Sequence, residues 1–223
     1  MLGELLTISS TDGKPMDGIL YRPSLARDLK RGVFLVHGLS FSFYRGALRE
    51  LAPNLAEAGY TCLALNMRDH DKTDPVEFEQ SYHDLQAGIN WLRGYGVKEV
   101  ILLAHGFACN KAVLFCDQSG TKGVDRYVLA VLGTVKKYRP EIWDAVLSGA
   151  PKMAGKALVV QGALDSPIDA KQRAEEFTAA APDCSVDVVM LEGGDHYFTN
   201  KDRELADVVI DWCAKTTPQE ATS

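Results

Sequence analysis

Long hydrophobic runs are missing from this 223-residue chain: none approaches the about 20 consecutive apolar residues of a membrane-spanning helix. A membrane is therefore not an expected partner. Basic charge is in the minority, with 24 Lys+Arg against 30 Asp+Glu, a formal net charge of −6 and a pI near 5.4. Nucleic-acid binding needs a basic footprint that this balance does not supply. Phosphate cradles of the GxGxxG or GxxxxGK(S/T) kind do not occur, so nucleotide binding is disfavoured and no cofactor is expected. The five cysteines (Cys62, Cys109, Cys116, Cys184, Cys213) are odd in number, scattered, and contain no CxxC pair. They read as reduced, mostly buried thiols of a cytoplasmic protein rather than as a disulfide framework. The opening MLGELLTISSTDGK has no basic n-region and no long apolar stretch, and does not read as a secretory signal. Repeats, linkers and low-complexity stretches are absent as well.

What remains is an ordinary globular composition, 46% hydrophobic, 24% charged and 9% aromatic. The length is ample for a sizeable core, and residues 1–223 read as one domain. Glu4–Ser9 and Gly18–Pro23 flank the turn Thr11-Asp12-Gly13-Lys14 and read as an antiparallel hairpin. Gly32–Gly38 is a continuous apolar run of the kind found in a strand covered on both faces. Leu48, Leu51 and Leu55 then recur at helical spacing until Gly59, and Tyr60–Met67 is the next strand. Val76–Tyr95 carries Tyr82, Leu85, Ile89 and Leu92 along one helical face. Further strands are expected at Glu99–Ala104, Tyr127–Leu132, Ala157–Gln161 and Val186–Leu191. Helices are expected at Ala108–Cys116, Asp169–Ala180 and Leu205–Cys213, before a polar frayed tail at Thr216–Ser223. Strands alternating with helices predict an α/β fold, a mostly parallel doubly wound sheet of about eight strands with helices on both faces. Lys136–Lys156 breaks the repeat and is expected to be a lid over a site, too short for a cap domain.

Ligands of open parallel sheets bind at the carboxyl ends of the strands. Four such ends carry polar or glycine-rich turns: Val36-His37-Gly38-Leu39, His105-Gly106-Phe107-Ala108, Gly162-Ala163-Leu164-Asp165 and Gly193-Gly194-Asp195-His196. In that order they resemble the α/β-hydrolase superfamily over nearly the whole chain. The resemblance supplies a His-Gly oxyanion turn, a nucleophile elbow, an acid loop (KALVVQGALD, ending at Asp165) and a histidine loop (GGDHYF, holding His196).

One position departs from it. A family elbow reads G-x-S-x-G, whereas this chain reads Ala104-His105-Gly106-Phe107-Ala108, and Gly106 has no side chain with which to attack. No serine lies between Gly96 and Gln118 to shift the alignment. The resemblance still implies Asp165 and His196 as a general-base dyad, and the N–H groups of Leu39 and Phe107 as an oxyanion hole. His37, Ser40, His105, Trp143 and Tyr197 are expected to contact substrate.

Competing readings apply to several residues. Cys109 sits in the first turn of a helix, where thiol pKa values fall, but a buried inert thiol is the better fit to this fold. Arg68-Asp69-His70-Asp71 resembles the family's structural Arg-Gly-His-Gly turn, and adjacent residues of this kind rarely converge on a metal ion. Asp169 reads as a helix-start residue and Asp195 as a turn former. The functional expectation is an enzyme on a small ester, lactone or β-keto substrate, hydrolase-like or a decarboxylase. Its nucleophilic serine is absent, natively or by substitution. The alternative is an inactive α/β-hydrolase-like binding or interaction protein that retains the pocket.

Overall fold

Ser9 and Pro15 face each other across the Ser10–Lys14 turn, closing β1 (Leu2–Ser9) on β2 (Pro15–Arg22) as the expected antiparallel hairpin. The computed structural model describes residues 2–73, 77–119, 122–133, 139–165 and 167–215. β2 pairs antiparallel with β4 (Thr61–Leu65), and the remaining pairings are parallel. They involve β3 (Arg31–Val36), β5 (Glu99–His105), β6 (Arg126–Ala130), β7 (Gly155–Gly162) and β8 (Cys184–Leu191). The sheet order is β1-β2-β4-β3-β5-β6-β7-β8. The chain leaves β3 for β4 on one side and returns to β5 on the other, so strand order reverses between β3 and β5. In open α/β sheets ligands bind at the carboxyl ends of the strands where such a reversal occurs. The register Val36↔Ala104 sets His37-Gly38 beside His105-Gly106.

Alternation along the strands separates two cores. Phe34, Leu63 and Leu102 pack under α2 (Ser81–Tyr95), α3 (Ala108–Ser119), α4 (Pro140–Gly149) and α5 (Pro167–Ala180). Their sequence neighbours Val33, Cys62 and Ile101 pack under α1 (Ala47–Glu57) and α6 (Asp202–Lys215). Leu48, Leu51 and Leu55 of α1 and Leu205, Val209 and Cys213 of α6 are all buried there. Each large aliphatic side chain so enclosed contributes about 1.5–3 kcal/mol of transfer free energy.

Three expectations need correction. The helix expected over Val76–Tyr95 begins at Ser81 and is preceded by a 3-10 turn at Phe78–Gln80; Val76 lies outside the described residues. β6 ends at Ala130 rather than Leu132, because Val131 adopts a left-handed backbone with φ 61°. The lid expected at Lys136–Lys156 is, over its described residues, the crossover helix α4 between β6 and β7. Its Ile142, Trp143 and Val146 are buried in the core, which a lid's apolar face would not be. Residues 136–138 of that segment and the expected frayed tail at 216–223 fall outside the described residues. Among the described residues no helix is long and apolar enough to cross a membrane.

Candidate active site

At the end of β3, His37 is sealed from solvent. Its Nε2 accepts the Met67 N–H at 2.9 Å, so its Nδ1 carries the proton and donates to the Gly38 carbonyl at 2.8 Å. Burial, reinforced by the Lys111 ammonium, pushes this imidazole down to about 4, and it stays neutral. His37, expected at the substrate, thus ties the β3 turn to the chain after β4, with both ring nitrogens engaged by backbone groups. Gly38 packs backbone to backbone against β5: a Cβ there would lie 2.9 Å from the His105 carbonyl oxygen and 3.4 Å from the Phe107 nitrogen. A side chain at this position would crowd both atoms. Ser40, also expected at the substrate, is half-buried with its Oγ donating to the Lys72 carbonyl at 3.2 Å.

At the end of β5, Gly106 donates its N–H to Ala130 O at 2.8 Å and turns the chain with φ 59°. L side chains rarely occupy that region and glycine does so without strain. The Cys109 and Asn110 N–H groups then bond to Gly106 O and Phe107 O as α3 begins. A Cβ on Gly106 would lie 3.7 Å from His196 Nε2 and 4.0 Å from Cε1. A C–O bond of about 1.4 Å and an O···N hydrogen bond of about 2.8 Å span such a distance when bent at roughly 120°. The place of a serine hydroxyl is therefore within hydrogen-bonding reach of His196. Among the described residues, neither Leu39 N–H nor Phe107 N–H donates to a protein acceptor.

Asp165 and His196 come from different loops that are laced together. Ala163 N–H donates to Leu191 O at 3.0 Å and Leu164 N–H to Gly194 O at 2.8 Å. Gly162 is fixed by the same contact, since a Cβ there would strike the carbonyls of Gly194 and Asp195. Asp195 shapes the histidine loop by accepting the Tyr197 and Thr199 N–H groups at 3.0 and 2.8 Å. Although partial burial works the other way, those donors hold its carboxyl below the ordinary value. The outcome is a His196 Nδ1···Asp165 Oδ2 hydrogen bond of 3.0 Å, with side chains 29% and 19% exposed. Substrate can reach such a dyad from solvent.

His105 supports this loop from beneath. Its ring is buried against Phe41, His196 and Phe198, and its Nε2 lies 3.1 Å from the His196 carbonyl oxygen. Burial first, and the charge of His196 second, push its pKa down to about 4, so a neutral ring donates that bond. His105, expected at the substrate, thus holds the backbone of the His196 loop. Tyr197, also expected at the substrate, is half-exposed, edge-on to His196 at 4.8 Å and stacked on Phe41 at 5.5 Å. Trp143 lies elsewhere, on the buried face of α4, with its indole N–H donating to Glu176 at 2.9 Å. Its large apolar ring gains more from that core than from a pocket rim.

Other nucleophiles are withdrawn. Cys109 is fully buried with its Sγ towards Ala104 O and Ala130 O, and burial pushes its thiol pKa up. Ser42 is likewise buried. Arg68 forms a buried ion pair with Asp84 at 2.8 Å and reaches Asp12 at 3.0 Å. Sequence reasoning missed the pair Lys111–Asp69, fully enclosed behind the elbow with Lys111 Nζ 5.9 Å from the Phe107 ring centre. Among the described residues no group of three or more His, Cys, Asp or Glu is placed to hold a metal ion.

No protein-family model and no curated sequence matches the chain. Solved structures do match. A serine hydrolase without a lid from Xanthomonas campestris superposes with a TM-score of 0.76 at 17% identity, covering 97% of this chain and 96% of that one. Dienelactone hydrolase from Anabaena variabilis gives 0.76 at 17% identity, covering 98% and 100%. Est1E from Butyrivibrio proteoclasticus, with ferulic acid bound, gives 0.76 at 13% identity, covering 95% and 98%. The fold is that of the α/β hydrolases.

Proposed function

From the α/β-hydrolase fold as premise, we propose that this chain is an enzyme acting on a small ester or lactone, without a serine nucleophile. Asp165 orients His196 through Nδ1, and His196 Nε2 acts as general base on a water molecule in the space beside Gly106. The N–H groups of Leu39 and Phe107 take up the charge that develops on the carbonyl oxygen. The single observation behind this reading is the 3.7 Å between His196 Nε2 and the Cβ position on Gly106. On this reading the base, its orienting acid and the two backbone donors act together at that position. Solved neighbours that are a dienelactone hydrolase and a serine hydrolase support the substrate class.

Catalysis in this arrangement lacks a covalent intermediate. Positioned proton transfer contributes about 10²–10⁴-fold, and removal of one oxyanion donor typically costs about 10²–10³-fold. The same base and donors also serve decarboxylation of a β-keto acid, in which the oxyanion is an enolate. Gly106 itself favours a second reading, an inactive binding protein that kept the pocket. The test is turnover of short-chain aryl esters, lactones and β-keto acids by this chain and its His196→Ala variant. His196-dependent turnover supports the enzyme, and its substrate names the reaction. Turnover of none of them excludes the enzyme and supports the binding protein.

A further inference from the structure

Behind the elbow, Lys111 Nζ meets Asp69 Oδ1 at 2.5 Å, with both side chains sealed from solvent. Asp69 Oδ2 has no hydrogen-bond partner among the described residues. Taking two charges out of water offsets most of their mutual attraction, and apolar side chains of similar volume commonly hold a fold as well. The stranded oxygen adds to that cost. Stability therefore does not account for the pair. We infer that Lys111 and Asp69 are positioning residues, a strut that sets the Leu39 and Phe107 N–H groups relative to each other. This rests on the reading above, in which those two groups receive the developing oxyanion.

Each N–H is aimed by its own peptide plane, and each plane is held on its far side. The plane bearing the Phe107 N–H carries Gly106 O, which accepts the Cys109 N–H at 3.0 Å in the first turn of α3. Phe107 O accepts the Asn110 backbone N–H at 3.1 Å and its Nδ2 amide at 3.0 Å. The next residue of that turn is Lys111, whose ammonium also lies 5.9 Å from the Phe107 ring centre. The plane bearing the Leu39 N–H carries Gly38 O, which accepts from His37 Nδ1 at 2.8 Å. His37 Nε2 is in turn held by the Met67 N–H at 2.9 Å. Met67 opens a turn in which its carbonyl accepts the His70 N–H at 2.9 Å and Asp69 O accepts the Lys72 N–H at 3.2 Å. The Ser40 and Asp71 N–H groups join the two segments again, donating to Lys72 O at 2.8 Å and Phe41 O at 3.1 Å.

Asp69 thus belongs to the block that aims Leu39, and Lys111 to the turn that aims Phe107. The strand register Val36↔Ala104 joins the two blocks through the sheet, and the ion pair joins them through α3. A charge-assisted hydrogen bond fixes both a distance and a direction, which two apolar side chains in contact do not. An error of about 1 Å in placing a catalytic group costs about 10²-fold in rate.

Two variants separate placement from stability. Lys111→Met/Asp69→Ala removes both charges and is expected to keep the unfolding midpoint of the parent chain. Residual dipolar couplings of its Leu39 and Phe107 N–H bonds, which report bond direction, are expected to depart from the parent's while those of β3 and β5 stay. Its kcat on p-nitrophenyl acetate is expected to fall about 10²-fold, with KM within about two-fold. Asp69→Asn keeps an oxygen facing Lys111 Nζ but leaves the buried ammonium uncompensated. It is expected to lower the midpoint while both couplings and kcat stay close to the parent's. A purely structural pair predicts the reverse, with couplings and turnover following the midpoint in both variants. Parent-like couplings in the folded double variant overturn the inference. A double variant that does not fold overturns it too, since the pair is then a requirement of the fold. Absence of ester turnover by the parent chain removes the catalytic reading above, and the couplings alone then decide the strut.

Discussion

Asp165 holds one nitrogen of His196 at 3.0 Å, while the other nitrogen of the same ring faces the bare Cα of Gly106. The hydrogen bond to Asp165 orients the ring so that Nε2 is the nitrogen turned towards Gly106. Replacing Asp165 by Asn frees the ring to adopt the other tautomer. Turnover is expected to fall about 10²–10⁴-fold with little change in KM, as read by steady-state kinetics on an aryl ester.

Gly38 is expected to be as sensitive as the dyad, although it carries no side chain. Gly38→Ala forces a Cβ to 2.9 Å from His105 O and 3.4 Å from the Phe107 nitrogen. Either the turn shifts or the donor is covered. The loss of one oxyanion donor predicts a fall of about 10²–10³-fold in kcat, with the unfolding midpoint measured alongside to register any shift of the turn.

Thiol chemistry is expected to be irrelevant. Cys109 is sealed, and burial raises its pKa, so Cys109→Ala should leave turnover within about two-fold of the parent chain, and iodoacetamide should not inactivate it. Loss of activity in the Cys109 variant alone would overturn the assignment of a site without a side-chain nucleophile.

Stability is expected to fall in mild acid. His37 and His105 are both pushed down from 6.5 to about 4, chiefly by burial. Their folded pKa values are depressed, so the unfolded chain binds more protons between about pH 6.5 and 4. The stability these neutral rings confer is present in full above about pH 6.5 and is lost progressively as pH falls towards 4. The slope is at most about 1.4 kcal/mol per pH unit per histidine. Urea unfolding from pH 7.5 to 4.5 reads it directly, and His105→Gln should remove one histidine's share.

The strand ends that carry the site were legible because tight turns between strand and helix restrict the residues that fit. His-Gly at 37–38, Gly106, the Asp165 turn and the Gly-Gly-Asp-His loop each leave such a trace. The roles of His37 and His105 were not legible. A polar side chain at a strand end looks the same in sequence whether it faces substrate or closes on a carbonyl. Trp143 and the supposed lid were misread for a related reason: an amphipathic segment shows that it covers something, not what it covers. The pair Lys111–Asp69 was invisible because its partners are 42 residues apart and meet only once β4, β5 and α3 are assembled.

The most direct measurement is fluorophosphonate labelling and aryl-ester hydrolysis by the Gly106→Ser variant beside the parent chain. If His196, Asp165 and the Leu39 and Phe107 N–H groups act as proposed, the added hydroxyl creates rapid, His196-dependent hydrolysis, with one label on the introduced serine and none on the parent. A folded variant that neither hydrolyses the ester nor takes up the label would contradict the assembled site on which this reading depends.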